Sequence, residues 1–153
     1  MSQKDPFLTW LNEMIPMTQA MGITHCEYSE GVLSLSAPLD PNKNDKGTGF
    51  AGATTALATL AGWSLITRYT QALGLDCEAM VVESQAKYLR PVTQDFTARV
   101  QLPSDEMCQE FQLQLKQKGR ARMLLEVVIT EKDQPALILQ GSYLARLKTA
   151  NLQ

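Results

Sequence analysis

At 153 residues, the chain is sized for one domain, able to take roughly 70% of its unfolded surface out of water. Its 14 Lys and Arg against 16 Asp and Glu, with no basic run, exclude a phosphate-rich partner such as nucleic acid. Cys26, Cys77 and Cys108 are odd in number and far apart, with neither Cys-x-x-Cys spacing nor a histidine cluster, which argues against a disulfide framework and a structural zinc and predicts reduced thiols in the cytoplasm.

The opening MSQKDPFLTWLNEM lacks the basic start and unbroken apolar run of a secretory signal. Asp5-Pro6 is a helix start, with Asp as N-cap and Pro at the first helical position. Phe7, Leu8, Leu11, Met14 and Ile15 fall on one face of that helix, which ends around Pro16 to Gly22. Residues 23–29 and Val32 to Ala37 read as two strands joined by a turn at Ser29-Glu30-Gly31, a hairpin with Leu33, Leu35 and Ala37 alternating against serines. Pro38 to Lys46 is a polar loop.

From about Ala51 to Leu73 the pattern is a long helix, closed by Gly74. Residues 47–67 carry no charge and match a bilayer in length, but six Ser or Thr and four Gly argue for a helix buried in protein on nearly all sides. Leu57, Leu60, Ala61, Trp63 and Leu65 are its core face. Beyond Gly74 the period changes to two, predicting strands over Glu78 to Leu89, Asp95 to Leu102, Glu110 to Lys116, Arg120 to Glu131 and Ala136 to Leu147. A short helical turn is expected over Ser104 to Gln109. One helix followed by a run of long antiparallel strands is an α+β plan, and a helix apolar all round is covered only if the sheet curls about it.

The chemistry-bearing segment is Asn44 to Trp63. Gly47, Gly49 and Gly52 bring a loop into a helix start, where unpaired N–H groups and a positive dipole end can hold a developing oxyanion. His25, the lone histidine, sits in a strand without a nucleophile motif and reads as an ordinary strand residue.

Two motifs, Asn44-Asp45-Lys46-Gly47-Thr48-Gly49-Phe50-Ala51-Gly52 and Tyr88-Leu89-Arg90-Pro91-Val92, resemble the thioesterase branch of the hotdog-fold superfamily over roughly residues 6–147. More narrowly, the chain is similar to a small bacterial putative-thioesterase family that in some proteins forms the domain following an N-acetyltransferase domain. The resemblance implies a single hotdog domain over residues 1–153, with a long central helix wrapped by a curved antiparallel sheet. Acyl-CoA thioesterases of this fold carry Asn-x-x-Gly-x-x-His-Gly-Gly in this loop and a carboxylate on the central helix. Here Asn44, Gly47 and Gly52 are in register, while Phe50 stands at the His position, Ala51 at the next Gly and Thr59 at the acid.

By that resemblance Ala51 and Gly52 supply oxyanion amides, a role of the peptide group that survives side-chain change. Asn44 can position water through its amide, and Thr59 donates a hydrogen bond but is no base by itself. Asp45 or Glu83 is the expected base. Gly47, Phe50, Lys87 and Arg90 are expected to contact substrate, the two cations holding coenzyme A phosphates. Small residues at Ala51, Gly52 and Ala53 leave room for a narrow acyl tunnel.

The expected activity is hydrolysis of an acyl-CoA or acyl-carrier-protein thioester, with no metal and no cofactor beyond the coenzyme A moiety of the substrate. The alternatives are a non-catalytic acyl-thioester or fatty-acyl binding module and a dimerising scaffold. An exposed sheet edge predicts a homodimer or a dimer of dimers.

Overall fold

The computed structural model describes residues 5–148. The first helix, α1, covers Pro6–Met14, with the Asp5 carboxylate accepting from the Phe7 N–H at 2.9 Å. A separate turn of helix, α2, covers Met17–Met21 and ends at Gly22 in the left-handed region. Strands β1 (His25–Ser29) and β2 (Val32–Ala37) form the predicted hairpin, with Glu30 and Gly31 both at positive φ in its turn.

Helix α3 runs over Ala51–Ala72. Strands β3 (Cys77–Tyr88), β4 (Phe96–Gln101), β5 (Arg120–Glu131) and β6 (Gln134–Leu147) complete one antiparallel sheet in the order β1-β2-β4-β5-β6-β3. Helix α3 packs against β2, β3, β4, β5 and β6, which requires a sheet curved around it. Leu57, Ala58, Ala61, Leu65 and Ile66 are wholly buried. Along β5, Ala121, Met123, Leu125, Val127 and Ile129 face inward, as period two demands.

One predicted strand is a helix. Residues 110–116 belong to α4, Asp105–Lys118, which also absorbs the short turn expected before it. Phe111, Leu113 and Leu115 alternate like strand residues, but the ends decide the matter. The Ser104 hydroxyl accepts from the Met107 N–H, acids stand in the first turn, lysines in the last, and Gly119 caps the C-terminus at φ 74°, all features that favour a helix. Cys108, Phe111 and Leu115 then form a helical stripe. Helix α4 packs mainly on β5 and meets α3 at Tyr69, where Phe111 lies 5.9 Å from the Tyr69 ring and Gln112 donates to its hydroxyl.

No described helix is long and apolar enough to cross a membrane, and no group of metal-ligating side chains occurs among the described residues. All three cysteines are free thiols.

Candidate active site at the start of the central helix

The approach to α3 is built from asparagine side chains. Buried Asn42 donates through Nδ2 to the Met21 and Pro38 carbonyls, both at 2.8 Å, and its own carbonyl accepts from the Phe50 N–H. Two residues on, the Asn44 Oδ1 accepts from the N–H groups of Lys46 (2.8 Å) and Thr48 (3.1 Å), while its Nδ2 donates to the Thr48 hydroxyl. Gly47, at φ 78°, supplies the left-handed turn this hairpin-like loop needs. The Asn44 amide is thus committed to the loop rather than free to orient water.

Gly49 docks the loop on the sheet. Its N–H donates to the Val92 carbonyl at 2.7 Å, and a Cβ there would stand 3.0 Å from both Thr54 Cγ2 and Val92 Cβ. Phe50 is the N-cap of α3 but offers no capping side chain. Ala53 and Thr54 both return their N–H groups to the Phe50 carbonyl. The amides of Ala51 and Gly52 find no acceptor among the described residues, so the positive end of a 22-residue helix is left uncapped.

Ala51 opens into a cleft of about 310 Å³, bounded by the loop at Asn44 and Thr48 and by Tyr88, Arg90 and Val92 across from it. The far wall is fixed by the β5–β6 hairpin. The Ala136 carbonyl accepts from the Leu89 and Arg90 N–H groups, Arg90 Nη1 donates to the Pro135 carbonyl at 2.8 Å, and the buried Glu131 carboxylate accepts from both the N–H and the hydroxyl of Thr93. Tyr88 also bonds α3 directly, its hydroxyl 2.6 Å from Thr55 Oγ1.

Of the expected site residues, Asn44, Ala51 and Arg90 meet at this cleft. Gly52 does not line it, because the Phe50 ring lies against Gly52, where an added Cβ would stand 2.5 Å from Phe50 Cε2. The tunnel expected along Ala51, Gly52 and Ala53 is accordingly replaced by a cleft directed toward Leu89 and Leu137. Asp45 points to solvent, paired at 3.0 Å with Lys46, and does not reach the cleft. Glu83 pairs in register with Ser142 and shares the sheet's outward face with Gln85, Glu126 and Gln140, where they border a separate groove. Lys87, opposite Ile138, faces the same way. Both are turned from the helix start because a strand sends alternate side chains to opposite faces.

Thr59 is half-buried and anchors through its backbone, its carbonyl accepting from the Tyr143 hydroxyl at 2.9 Å. Trp63 is half-buried rather than core: its indole N–H donates to the Ala79 carbonyl at 2.7 Å, and its ring stacks on Trp10. His25 is exposed on β1 with only Glu27 beside it. Among the described residues, no Asp, Glu or His lines the cleft.

Asn42, Thr55, Thr93 and Glu131 escaped the sequence reading. Glu131 carried the one available signal, since it continues the inward alternation of β5 with a carboxylate.

A single long helix held in the curve of an antiparallel sheet, its uncapped start facing a cleft, is the architecture of the hotdog-fold thioesterases. Within that class the chain belongs to the family described as Putative thioesterase (yiiD_Cterm), whose model matches residues 6–147. A solved structure of a protein of unknown function from Chlorobaculum tepidum TLS is similar at 30% identity and TM-score 0.85, over 92% of this chain and 91% of that one. A putative thioesterase from Shewanella oneidensis is similar at 28% identity and TM-score 0.80, over 92% and 94% of the two chains. A probable thioesterase from Pseudomonas aeruginosa, at 23% identity and TM-score 0.78 over 97% and 99%, shares the fold.

Proposed function

We propose that the chain hydrolyses an acyl thioester carried on coenzyme A or an acyl-carrier protein, with the carbonyl oxygen resting on the Ala51 amide. The observation that carries this reading is the uncapped N–H of Ala51 opening into the cleft. An amide held there by the helix needs no reorganisation when charge develops on the oxygen, and the helix dipole adds to it. Arg90, pinned at one nitrogen by the Pro135 carbonyl, keeps its remaining donors for a carrier phosphate.

A homodimer belongs to the same proposal. Strand β3 is an edge strand, paired among the described residues only with β6, and Val81 and Val82 are exposed along it. A second copy laid along this edge covers that apolar surface and the unpaired backbone together.

A second reading, a binding module without turnover, is favoured by one observation: among the described residues, no carboxylate or imidazole lines the cleft to take a proton from water. The two separate in one experiment. Short, medium and aromatic acyl-CoAs are offered to the protein and to Ala51→Pro while free thiol is followed. Pro suits this first helical position, and Phe50, at φ −64° and ψ 129°, already has the backbone that precedes proline. The substitution therefore deletes one N–H and little else. Loss of about 10²–10³-fold in kcat is expected from removing an oxyanion donor. Equal, negligible turnover by both proteins, with acyl-CoA still bound, establishes the binding module instead.

A further inference from the structure

Four threonines of α3 hydrogen-bond through their hydroxyls. Thr54 donates to the Ala51 carbonyl, Thr67 to Trp63 and Thr70 to Ile66, the ordinary bond of a helical threonine to a carbonyl one turn back. Thr55 differs. Its Oγ1 leaves the helix and meets the Tyr88 hydroxyl on β3.

Two hydroxyls bonded to each other use one proton between them, leaving one O–H and several lone pairs for a third group. Tyr88 lines the cleft that Ala51 opens into, and its side chain is largely exposed. Of the other polar side chains of the cleft, Thr54 donates to its own helix, Asn44 holds the loop, Thr48 accepts from Asn44 on the loop side, and the cation Arg90 is bonded at one nitrogen to the Pro135 carbonyl. The pair is therefore a neutral hydroxyl group with capacity left, on the wall across from the loop.

We infer that the Thr55–Tyr88 pair is the water-positioning element of the cleft, an inference that rests on the thioester reading above. Tyr88 Oη holds a water against the carbonyl carbon, and Thr55 fixes the phenol's direction. As the water oxygen bonds to that carbon, the C=O electron pair moves onto the oxygen beside the Ala51 amide, and the water's proton passes to solvent through the cleft mouth. Collapse of the adduct restores C=O and breaks C–S, the sulfur leaving with the bonding pair. The two hydroxyls keep their own protons throughout.

The test compares the unaltered protein with Tyr88→Phe, Thr55→Val, Thr55→Ser and Ala51→Pro on whichever acyl-CoA is turned over, measuring kcat and KM separately and checking each fold by thermal melting. Tyr88→Phe and Thr55→Val are expected to lower kcat by about 10–100-fold with KM little changed, the scale of a misplaced reactant, and Thr55→Ser to restore most of it. If Tyr88→Phe and Thr55→Val keep full kcat while Ala51→Pro loses it, the inference falls and the thioester reading stands. If the two variants change only KM or only the melting temperature, the pair is a structural clasp and the inference falls likewise. If the unaltered protein turns over no thioester, both fall together.

Discussion

The phenol of Tyr143 fills the space a β-carbon on Gly62 would need: such a carbon would stand 2.3 Å from Tyr143 Oη and from Cζ. Tyr143 is wholly buried and bonds the Thr59 carbonyl, so it cannot swing aside. Gly62 thus lets β6 approach the middle of α3. Gly62→Ala should destabilise the fold on balance, contacts this close putting overpacking at the upper end of about 1–3 kcal/mol against the roughly 1 kcal/mol gained in helix propensity. Denaturant melts check the sign, and the Gly62→Ala/Tyr143→Leu double variant should cost less than the two single changes added.

Glu131 is a buried carboxylate whose hydrogen bonds both come from Thr93. Glu131→Ala strands those donors, at about 1–3 kcal/mol, and frees the segment whose Val92 carbonyl holds Gly49. A lowered melting temperature together with reduced thioester turnover is expected. Glu131→Gln, retaining an acceptor, should fall between.

Burial pushes the Cys26 thiol up to about 11, Asp5 adding to the effect and Arg68 opposing it. The unfolded chain ionises this thiol near the usual 9.0, so above that pH the unfolded state gains and the folded state does not. Stability should be unaffected by Cys26 below pH 9 and should fall by about 2–3 kcal/mol as pH rises to about 11. Urea melts across this range for the protein and for Cys26→Ala isolate the contribution. Iodoacetamide at pH 8 should leave Cys26 unmodified until denaturant is added.

A charge at the β3 edge should block self-association. Val82, exposed and lying at the register shift between Val81 and Glu83, is the place to put it. Sedimentation should show a dimer for the unaltered chain and a monomer for Val82→Lys, with melting of the monomer still cooperative. A monomeric unaltered chain would remove the basis for edge pairing.

The sequence was most informative where one pattern had one meaning. Alternation in β5 and the uncharged stretch of α3 each admit a single solution, and strand and helix bounds there fall within a residue of those predicted. Residues 110–116 failed because Phe111, Leu113 and Leu115 fit period two and a helix alike, and only Ser104 and Gly119 break the tie. At the cleft, a backbone donor at Ala51 could be read from the loop's glycines. The facing of Glu83 and Lys87 could not, since the register shift inside β3 decides which face each one takes. The commitment of Asn44 to its loop was equally hidden, as an asparagine beside a glycine serves a turn or a ligand with the same letters.

The uncapped start of α3 has a consequence for how such a protein can change. A donor that belongs to the peptide group is indifferent to the residue carrying it, unless that residue is proline. Position 51 can drift among small side chains while its N–H keeps its aim, whereas Gly49, wedged between Thr54 and Val92, has almost no latitude. On the proposed thioester reading, tolerance and intolerance are then inverted relative to an enzyme built on a reactive side chain: the residue carrying the donor is replaceable, and the silent glycine two places before it is not.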